Sequence, residues 1–267
     1  MKSVIRTLSP DAAVIDLSHE IAPHDVRAGG LLLARSAQYL AHGVVLAVVD
    51  PGVGTARRAV AVEVGDGASV LVGPDNGLLA PAVAMVGGAT RAVELTSSAH
   101  HLPAPGPTFA GRDVFAPASA HLCNGVDLAE LGKVIDPGGM LPGVLPVSRR
   151  EGDALVAEVL WVDRFGNAQL NIGPDELGGL GDRVRFRAGD LRRTAMVVPA
   201  YGALGPGDIG LVVDSYGLVA VSLDRRSAAD ELDLAAGTEL ILEPLPGDGD
   251  AAAGTSTAVQ LGPRAAR

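Results

Sequence analysis

Residues 44–55, VVLAVVDPGVGT, decide the fold class of this chain: an apolar run ends in a carboxylate and two glycines. Residues 44–49 of this run contain no polar member, which is typical of a strand that is buried on both faces in a parallel sheet. The neighbouring sequence repeats the pattern in shorter form. Further strands are predicted at residues 13–17, 59–64, 69–72 and 91–95.

Helical stretches separate these predicted strands. Asp25 is placed to cap a helix that runs to about residue 40, and Asp113 to cap one that ends near Asn124. A third helix is predicted to begin at about Asn76. The alternation of strands and helices predicts an α/β layered domain with a mostly parallel sheet over residues 1–140.

The second half of the chain has a different pattern. Residues 136–148 are rich in Pro and Gly and lack periodicity, so we place a linker at residues 141–153. Short β-rich runs separated by glycine turns follow, and they predict a C-terminal antiparallel β-barrel domain over residues 154–246. Residues 247–267, rich in Gly, Ala, Ser and Thr, are predicted to be a disordered tail.

Composition narrows the class of partner. The chain is 48% hydrophobic and 19% charged, with a formal net charge of −10. A nucleic-acid binder needs a basic surface, so this charge argues against nucleic acid and against anionic membranes. No apolar run reaches the roughly 18–20 residues of a membrane-spanning helix. The single cysteine, Cys123, fits a reducing compartment, and we expect a cytoplasmic protein that acts on a small molecule.

Two polar loops follow consecutive predicted strands. The loop at residues 50–55 carries Asp50, with Arg57 and Arg58 just beyond it, and residues 73–77 (GPDNG) close a following strand. In parallel α/β sheets, ligands bind at the carboxyl ends of the strands. Either loop alone reads as a tight turn whose Asp bonds its own backbone. Two such loops on consecutive strand ends favour a binding site.

Other motifs predict no metal and no cofactor. His19-Glu20 and His24 resemble a zinc-binding pair, but the spacing is one residue too long and Pro23 breaks the required helix. Gly52 and Gly54 lack the third glycine of a dinucleotide fingerprint, and the sequence contains no P-loop motif.

Five segments carry a resemblance to a known family. IDLSHEI, VVDPGVGTARRAVAVE, VGPDNGLL, PTFAGRDVFAPASAHL and WVDRFGNAQLNI, in this order, closely resemble the S-adenosylmethionine (SAM) hydroxide adenosyltransferases, which are related to the SAM-dependent fluorinase and chlorinase. The resemblance runs from Met1 to about Pro244. It implies hydrolysis of SAM to adenosine and methionine without a further cofactor. It also implies a homotrimer that binds SAM between the N-terminal domain of one subunit and the C-terminal domain of the next.

The resemblance also implies roles for individual residues. Asp50 and Arg57 match the pair that positions and activates water, and the family's halogenases carry Tyr at the position of Asp50. Asp163 matches the acceptor of the methionine ammonium group, and Ser215 resembles a residue near the methionine carboxylate. Phe165 and Asn167 match contacts to adenosine, and residues 226–228 resemble the stretch whose backbone faces adenine. The implied substrate-binding residues are Asp163, Phe165, Asn167, Ser215, Phe109, Asn76, Ser227 and Ala228.

The chain departs from the family pattern at two places. Hydrolases of the family often carry His at the position of Ala110, so activity here would rest on Asp50 and Arg57 or recruit His100 or His101. Family members usually begin with a strand and a TDFG motif whose Asp binds the ribose diol, and Met1 aligns with the middle of that region. The 267-residue form is therefore expected to be less stable, and to bind SAM less well, than an upstream-extended one.

Three functions stay open at this point. The first is SAM hydrolysis, which the resemblance favours. The second is halogenation that forms 5′-halo-5′-deoxyadenosine from SAM. The third is non-catalytic binding of SAM or adenosine, which the departures at Ala110 and at the start of the chain make reasonable.

Overall fold

A computed structural model describes residues 1–245, so the predicted tail at residues 247–267 lies outside the described residues. The chain divides into two compact units, Met1–Leu145 and a second that begins at Pro146. The helices of the first unit are α1 (Lys2–Leu8), α2 (Val26–Ala37), α3 (Ala80–Met85) and α4 (Ala116–Cys123). Its strands are β1 (Val44–Leu46), β2 (Ala59–Val64), β3 (Ser69–Pro74), β4 (Ala89–Glu94) and β5 (Lys133–Ile135).

These five strands form one sheet in the order β1-β3-β2-β4-β5. Only β1 and β3 are parallel, whereas β3–β2, β2–β4 and β4–β5 are antiparallel, so the predicted mostly parallel sheet is wrong. For β2 and β3 the cause is the short connection at residues 65–68, because parallel strands need a much longer crossover. Gly65, Asp66 and Gly67 all have positive φ, which is the backbone conformation of a tight hairpin.

Several predicted elements of the first unit need correction. Residues 13–17 form no strand, because they have no ladder partner among the described residues, and Ile15 is 82% exposed. The helix predicted from Asn76 begins at Ala80. Asp25 caps α2 as predicted, its side chain accepting the Ala28 amide at 2.8 Å. Asp113 caps nothing: it lies inside a π-helical turn, Gly111–Phe115, that leads into α4.

Apolar side chains cover both faces of this sheet, which confirms the layered α/β character. Val60, Val62 and Val64 of β2 pack with Leu33 of α2 and Leu79. On the opposite face, a second cluster joins the sheet to the α4 region. Its fully buried members are Ala61, Val72, Val93, Phe115, Ala118 and Leu131. Strict alternation along β2 divides its side chains between the two clusters.

The second unit is a barrel. Its strands are β6 (Arg149–Glu151), β7 (Ala154–Val162), β8 (Ala168–Leu170), β9 (Arg183–Ala188), β10 (Leu191–Val198), β11 (Ile209–Val213), β12 (Val219–Leu223) and β13 (Glu239–Pro244). A single helix, α5 (Ala228–Leu232), lies between β12 and β13. Seven strands close in the order β13-β9-β10-β11-β12-β8-β7, because β7 also pairs with β13, and β6 extends the edge at β7.

The barrel confirms the predicted C-terminal domain type. All its strand pairs are antiparallel except β10–β11, whose longer connection, residues 199–208, permits parallel pairing. The interior is filled by large apolar side chains such as Phe186, Leu170 and Leu240, which are fully buried. The loops at the strand ends are therefore held on a rigid frame. Among residues 1–245, no helix combines the length and apolar character that crossing a bilayer requires.

Candidate active site

Asp50 and Arg57 form a two-pronged ion pair after β1. Arg57 Nε donates to Asp50 Oδ1 at 2.9 Å, and Nη2 donates to Oδ2 at 2.5 Å. The Asp50 side chain is only 7% exposed and the Arg57 side chain only 10%. A parallel fork of this kind fixes both position and orientation, and burial strengthens the attraction while raising the desolvation cost. Each Asp50 oxygen retains lone-pair capacity for a further donor such as water.

The turn between the two partners brings them together. Gly54 has a φ of +79°, and a Cβ at Gly52 would lie 3.4 Å from Arg57 Cβ, so the loop closes tightly on the arginine. The Arg57 guanidinium carbon also lies 5.4 Å from the centre of the Phe115 ring, a cation–π distance. The aromatic face and the carboxylate together limit the orientations open to the guanidinium.

A second ion pair lies beside the first. Arg58 Nε donates to Asp75 Oδ2 at 2.8 Å, and its Nη2 donates to the Gly139 carbonyl at 2.6 Å. Asp75 is 3% exposed, and its Oδ1 accepts the Leu141 amide at 2.8 Å. The adjacent Asn76 donates from Nδ2 to the Val49 carbonyl at 2.9 Å and accepts the Leu78 amide. The polar atoms of Asn76 therefore bond within the protein.

The predicted segment around Ala110 lies on the same unit. Phe109 is half exposed, and the Arg112 guanidinium carbon lies 4.9 Å from its ring centre. Arg112 also forks onto Asp113, with Nε to Oδ1 at 2.6 Å. Ala110 packs against the apolar cluster around Phe115. Because its side chain is a methyl group, this position provides no acid or base.

Histidines cluster near this segment. The rings of His100 and His121 meet edge to face with centroids 4.8 Å apart, and His100 Nδ1 lies 3.0 Å from Ser97 Oγ. Burial, with a smaller contribution from His100, lowers the pKa of His101, and the same two causes lower the pKa of His121. His101 Nε2 is buried and has no hydrogen-bond partner within the described part of the chain. Both imidazoles are therefore biased toward the neutral form.

In the barrel unit, Asp163 organises the loop between β7 and β8. Its Oδ1 accepts the amides of Phe165 and Asn167 at 2.8 and 2.9 Å, and its Oδ2 accepts Asn167 Nδ2 at 2.8 Å. These contacts form an Asx-type turn, which holds the loop in one conformation. The Phe165 ring is left 72% exposed.

The loop of Asp163 meets the start of α5. A Cβ at Gly166 would lie 2.1 Å from Ser227 Oγ, and the Gly166 carbonyl accepts the Ala229 amide at 2.9 Å. Ser227 caps α5 by accepting the Asp230 amide at 3.0 Å, and Ala228 is fully buried. The predicted residues of this unit at Asp163, Phe165, Asn167, Ser227 and Ala228 thus lie together.

Ser215 lies on the neighbouring turn between β11 and β12. Asp214 holds this turn by accepting the Tyr216 amide at 2.8 Å, and Gln169 of β8 donates to its other carboxylate oxygen. Ser215 itself is exposed. Tyr201, on the connection before β11, has its pKa raised by burial and then by the nearby charges of Asp214 and Asp163. The aromatic phenol therefore lies close to both acidic turns.

Comparison with known proteins agrees with this division into units. Family models of the SAM hydroxide adenosyltransferase N-terminal and C-terminal domains match residues 1–132 and 157–241. The chain belongs to the SAM hydroxide adenosyltransferase family. A relative from Salinispora tropica, named (R)-S-adenosyl-L-methionine hydrolase, is 44% identical, and the alignment covers 89% of this chain and 88% of that protein.

A more distant relative and a solved structure are also similar to this chain. A protein from Actinoplanes sp. named fluorinase is 26% identical across 88% of this chain and 89% of its own length. The crystal structure of an uncharacterized conserved protein from Thermotoga maritima superposes with a TM-score of 0.81 at 31% identity, covering 91% of this chain and 93% of that one. The fold described above is therefore that of solved relatives.

Sequence reasoning about this SAM hydroxide adenosyltransferase family member missed two features. The Arg58–Asp75 pair was visible only as two residues in adjacent polar loops, and Tyr201 carried no motif. The sequence argues against a zinc site at His19 and His24, and in the structure His19 Nε2 lies 3.1 Å from Asp16 Oδ1, with both side chains about half exposed or more. Within residues 1–245, no group of three or more His, Cys, Asp or Glu residues is arranged to hold a metal ion.

Proposed function

We propose that this chain hydrolyses SAM to adenosine and methionine. The observation that carries the proposal is the buried two-pronged contact between Asp50 and Arg57, which follows a strand end and a glycine turn. Asp50 supports hydrolysis over halogenation, because halogenases of the family carry Tyr at that position. The hydrolase name of the Salinispora relative at 44% identity supports the same reaction.

The chemistry asks little of the protein beyond positioning. The water oxygen forms a bond to C5′ of SAM while the C5′–sulfur bond breaks, and the electron pair of that bond neutralises the sulfonium. Methionine leaves as a neutral thioether, so the leaving group needs no proton. The attacking water loses one proton, which passes by way of Asp50 to solvent. Asp50 orients and polarises the water, and Arg57 holds Asp50 and stabilises developing negative charge on oxygen.

We assign substrate recognition largely to the barrel unit. The exposed ring of Phe165 offers a face on which adenine can stack, and Asn167 and the backbone of residues 227–228 lie beside it. Asp163 Oδ2 accepts a hydrogen bond from Asn167 Nδ2 and retains lone-pair capacity for the methionine ammonium group. Ser215 supplies an exposed hydroxyl for the methionine carboxylate.

Product analysis in labelled water tests this function. The purified chain is incubated with SAM in oxygen-18 water, with and without added chloride or fluoride, and products are separated by chromatography and mass spectrometry. Hydrolysis predicts one oxygen-18 atom in the 5′-hydroxyl of adenosine, and the halide should change nothing. Formation of 5′-halo-5′-deoxyadenosine instead would contradict the assignment and favour the halogenase alternative.

A second candidate, non-catalytic binding of SAM or adenosine, is favoured by one observation. Ala110 lies in an apolar cluster at the position where related hydrolases often carry His, so a base is missing there. Calorimetry with SAM separates the two candidates. A non-catalytic binder would bind SAM in calorimetry without forming adenosine, and Asp50→Asn would leave its affinity for SAM unchanged.

We further propose a cytoplasmic homotrimer with each site shared between neighbouring subunits. The family resemblance and the division of the candidate residues between two units support sharing, and the lone Cys123 supports a reducing compartment. The test mixes Asp50→Asn subunits, which lose turnover, with Asp163→Ala subunits, assayed at a SAM concentration too low for Asp163→Ala to bind it. Shared sites predict that remixing restores about a quarter of the sites, because a neighbour pair can combine two intact halves. Sites contained within one subunit predict no recovery.

A further inference from the structure

The turn after β3 joins the two ion pairs. Asp75 donates its backbone amide to the Arg58 carbonyl at 2.9 Å, and that same carbonyl accepts Arg57 Nη1 at 2.8 Å. The Asp75 side chain meanwhile grips the Arg58 guanidinium. Arg58 is thus held at both its main chain and its side chain by one residue. Its carbonyl in turn orients the outer nitrogen of the neighbouring guanidinium.

The next residue in the same turn acts on the other partner. Asn76 donates to the carbonyl of Val49, which immediately precedes Asp50. One short turn therefore fixes the backbone before Asp50 and the carbonyl that orients Arg57. A displacement of this turn would move the carboxylate and the guanidinium relative to each other.

We propose that Asp75 is a positioning residue for the Asp50–Arg57 pair, acting through Arg58; the inference rests on the SAM hydrolysis proposed above. Asp75 does not touch substrate, because its side chain is 2% exposed and its oxygens bond to Arg58 and to the Leu141 amide. It acts by keeping the Arg58 carbonyl at the distance that Arg57 requires. Its contribution is to turnover and not to the binding of SAM.

A purely structural role makes a different prediction. Asp75 also ties the end of β3 to residues 139 and 141, directly and through Arg58. If that tie only stabilised the first unit, removing it would lower the melting temperature and leave the turnover of the folded protein unchanged. A core variant on the adjacent strand supplies the matched comparison, because Val62 is fully buried and does not bond to either pair.

The experiment compares Asp75→Asn, Arg58→Lys and Val62→Ala in the full chain, by adenosine formation and thermal melting. Measurements are made well below every melting temperature. Asp75→Asn should lower kcat by about tenfold to a hundredfold, as expected for a displaced catalytic group, with KM for SAM changed less than about threefold. Arg58→Lys keeps the positive charge but loses the two-nitrogen contact with Asp75, and it should lower kcat by a smaller factor than Asp75→Asn does. Val62→Ala should lose melting temperature with kcat retained.

A double-mutant cycle with Arg57→Lys measures the coupling between Asp75 and Arg57 in kcat, which a change in stability alone would not alter. If Asp75 positions Arg57 by way of Arg58, Asp75→Asn should lower kcat less than about twofold once Arg57 is already replaced. Equal fold-losses in both backgrounds, or a kcat for Asp75→Asn that matches Val62→Ala, overturn the positioning role alone. If Asp75→Asn does not fold, Arg58→Lys carries the same cycle. An unmodified chain that forms no adenosine overturns the proposed function and this inference with it.

Discussion

The two units offer candidate site residues in opposite states. In the first unit, Asp50 and Arg57 are nearly buried and bond to each other. The carbonyl of Arg58, from the second ion pair, accepts a further hydrogen bond from Arg57. In the barrel unit, Asp163 uses its carboxylate to shape its own loop, while Phe165 remains 72% exposed. The first arrangement is suited to chemistry that needs fixed geometry. The second is suited to recognition, because it presents an open surface of aromatic and polar groups.

The comparison teaches that the same residue type performs different work in the two units. Asp50 accepts charged donors from an arginine, which fixes another side chain. Asp163 and Asp214 mainly accept backbone amides, which fixes loops. Substitutions in the first unit should therefore act on kcat, and substitutions in the barrel unit on KM.

The largest effect is expected for Asp50→Asn. The amide keeps the size of the side chain but loses the charge that polarises water and pairs with Arg57, so kcat should fall by about a hundredfold to ten-thousandfold. Initial rates of adenosine formation measure this loss. The control is Asp66→Asn in the exposed β2–β3 hairpin, whose positive φ suits asparagine and whose activity should be normal. Near-normal turnover in Asp50→Asn would contradict the assignment of the chemical step to the first unit.

Phe165→Ala should act on the barrel side of the comparison. Stacking of a base on an aromatic ring is worth about 1–3 kcal/mol, so KM for SAM should rise by about tenfold while kcat changes little. Steady-state kinetics and calorimetry with adenosine both report the change. Tyr39→Ala is the matched control, because Tyr39 is 81% exposed on the other unit and should be silent. A fall in kcat with unchanged KM would assign Phe165 to the chemistry.

Gly166→Ala tests what holds the recognition surface together. The new Cβ would meet Ser227 Oγ at 2.1 Å and its Cα at 2.6 Å, and φ at Gly166 is +81°. We expect a loss of about 2 kcal/mol or more in the free energy of unfolding, together with a raised KM. Gly189→Ala isolates the contact, because its φ is +53° and its Cβ would meet nothing within 4 Å. The control should lose only about 1 kcal/mol. Equal losses in the two variants would mean that the Ser227 contact contributes nothing.

Much of the fold follows from the sequence, and the failures have physical causes. The barrel of the second unit follows from its short β-rich runs separated by glycine turns, and β7 and β11 are two such runs. The sheet of the first unit was predicted with the wrong strand direction, because the apolar run at residues 44–49 outweighed the Gly-Asp-Gly turn at residues 65–67. That turn is itself a hairpin signal.

The site shows the same limit. Motif resemblance located Asp50 and Arg57, and the structure brings them into contact. Neither motif nor spacing indicated that Asp75 bonds to Arg58, because the partners are 17 positions apart and only the paired strands β2 and β3 bring them together. Tyr201 was invisible for a similar reason: its acidic neighbours come from two other connections of the barrel.

The smallest effects should appear in how each unit responds to pH. The folded pKa of His101 is lowered from 6.5 by burial and by His100, so the unfolded chain takes up a proton first as the pH falls through 6.5. The contribution of His101 to stability is therefore present above pH 6.5 and is lost as the pH falls below it.

The folded pKa of Tyr201 is raised from 10.0, so the contribution of Tyr201 to stability is present below pH 10 and is lost as the pH rises further. Urea midpoints across this range should show that His101→Gln flattens the acid side only and that Tyr201→Phe flattens the alkaline side only. If His101→Gln leaves the acid limb as steep as before, the buried imidazole is not what makes the first unit sensitive to acid.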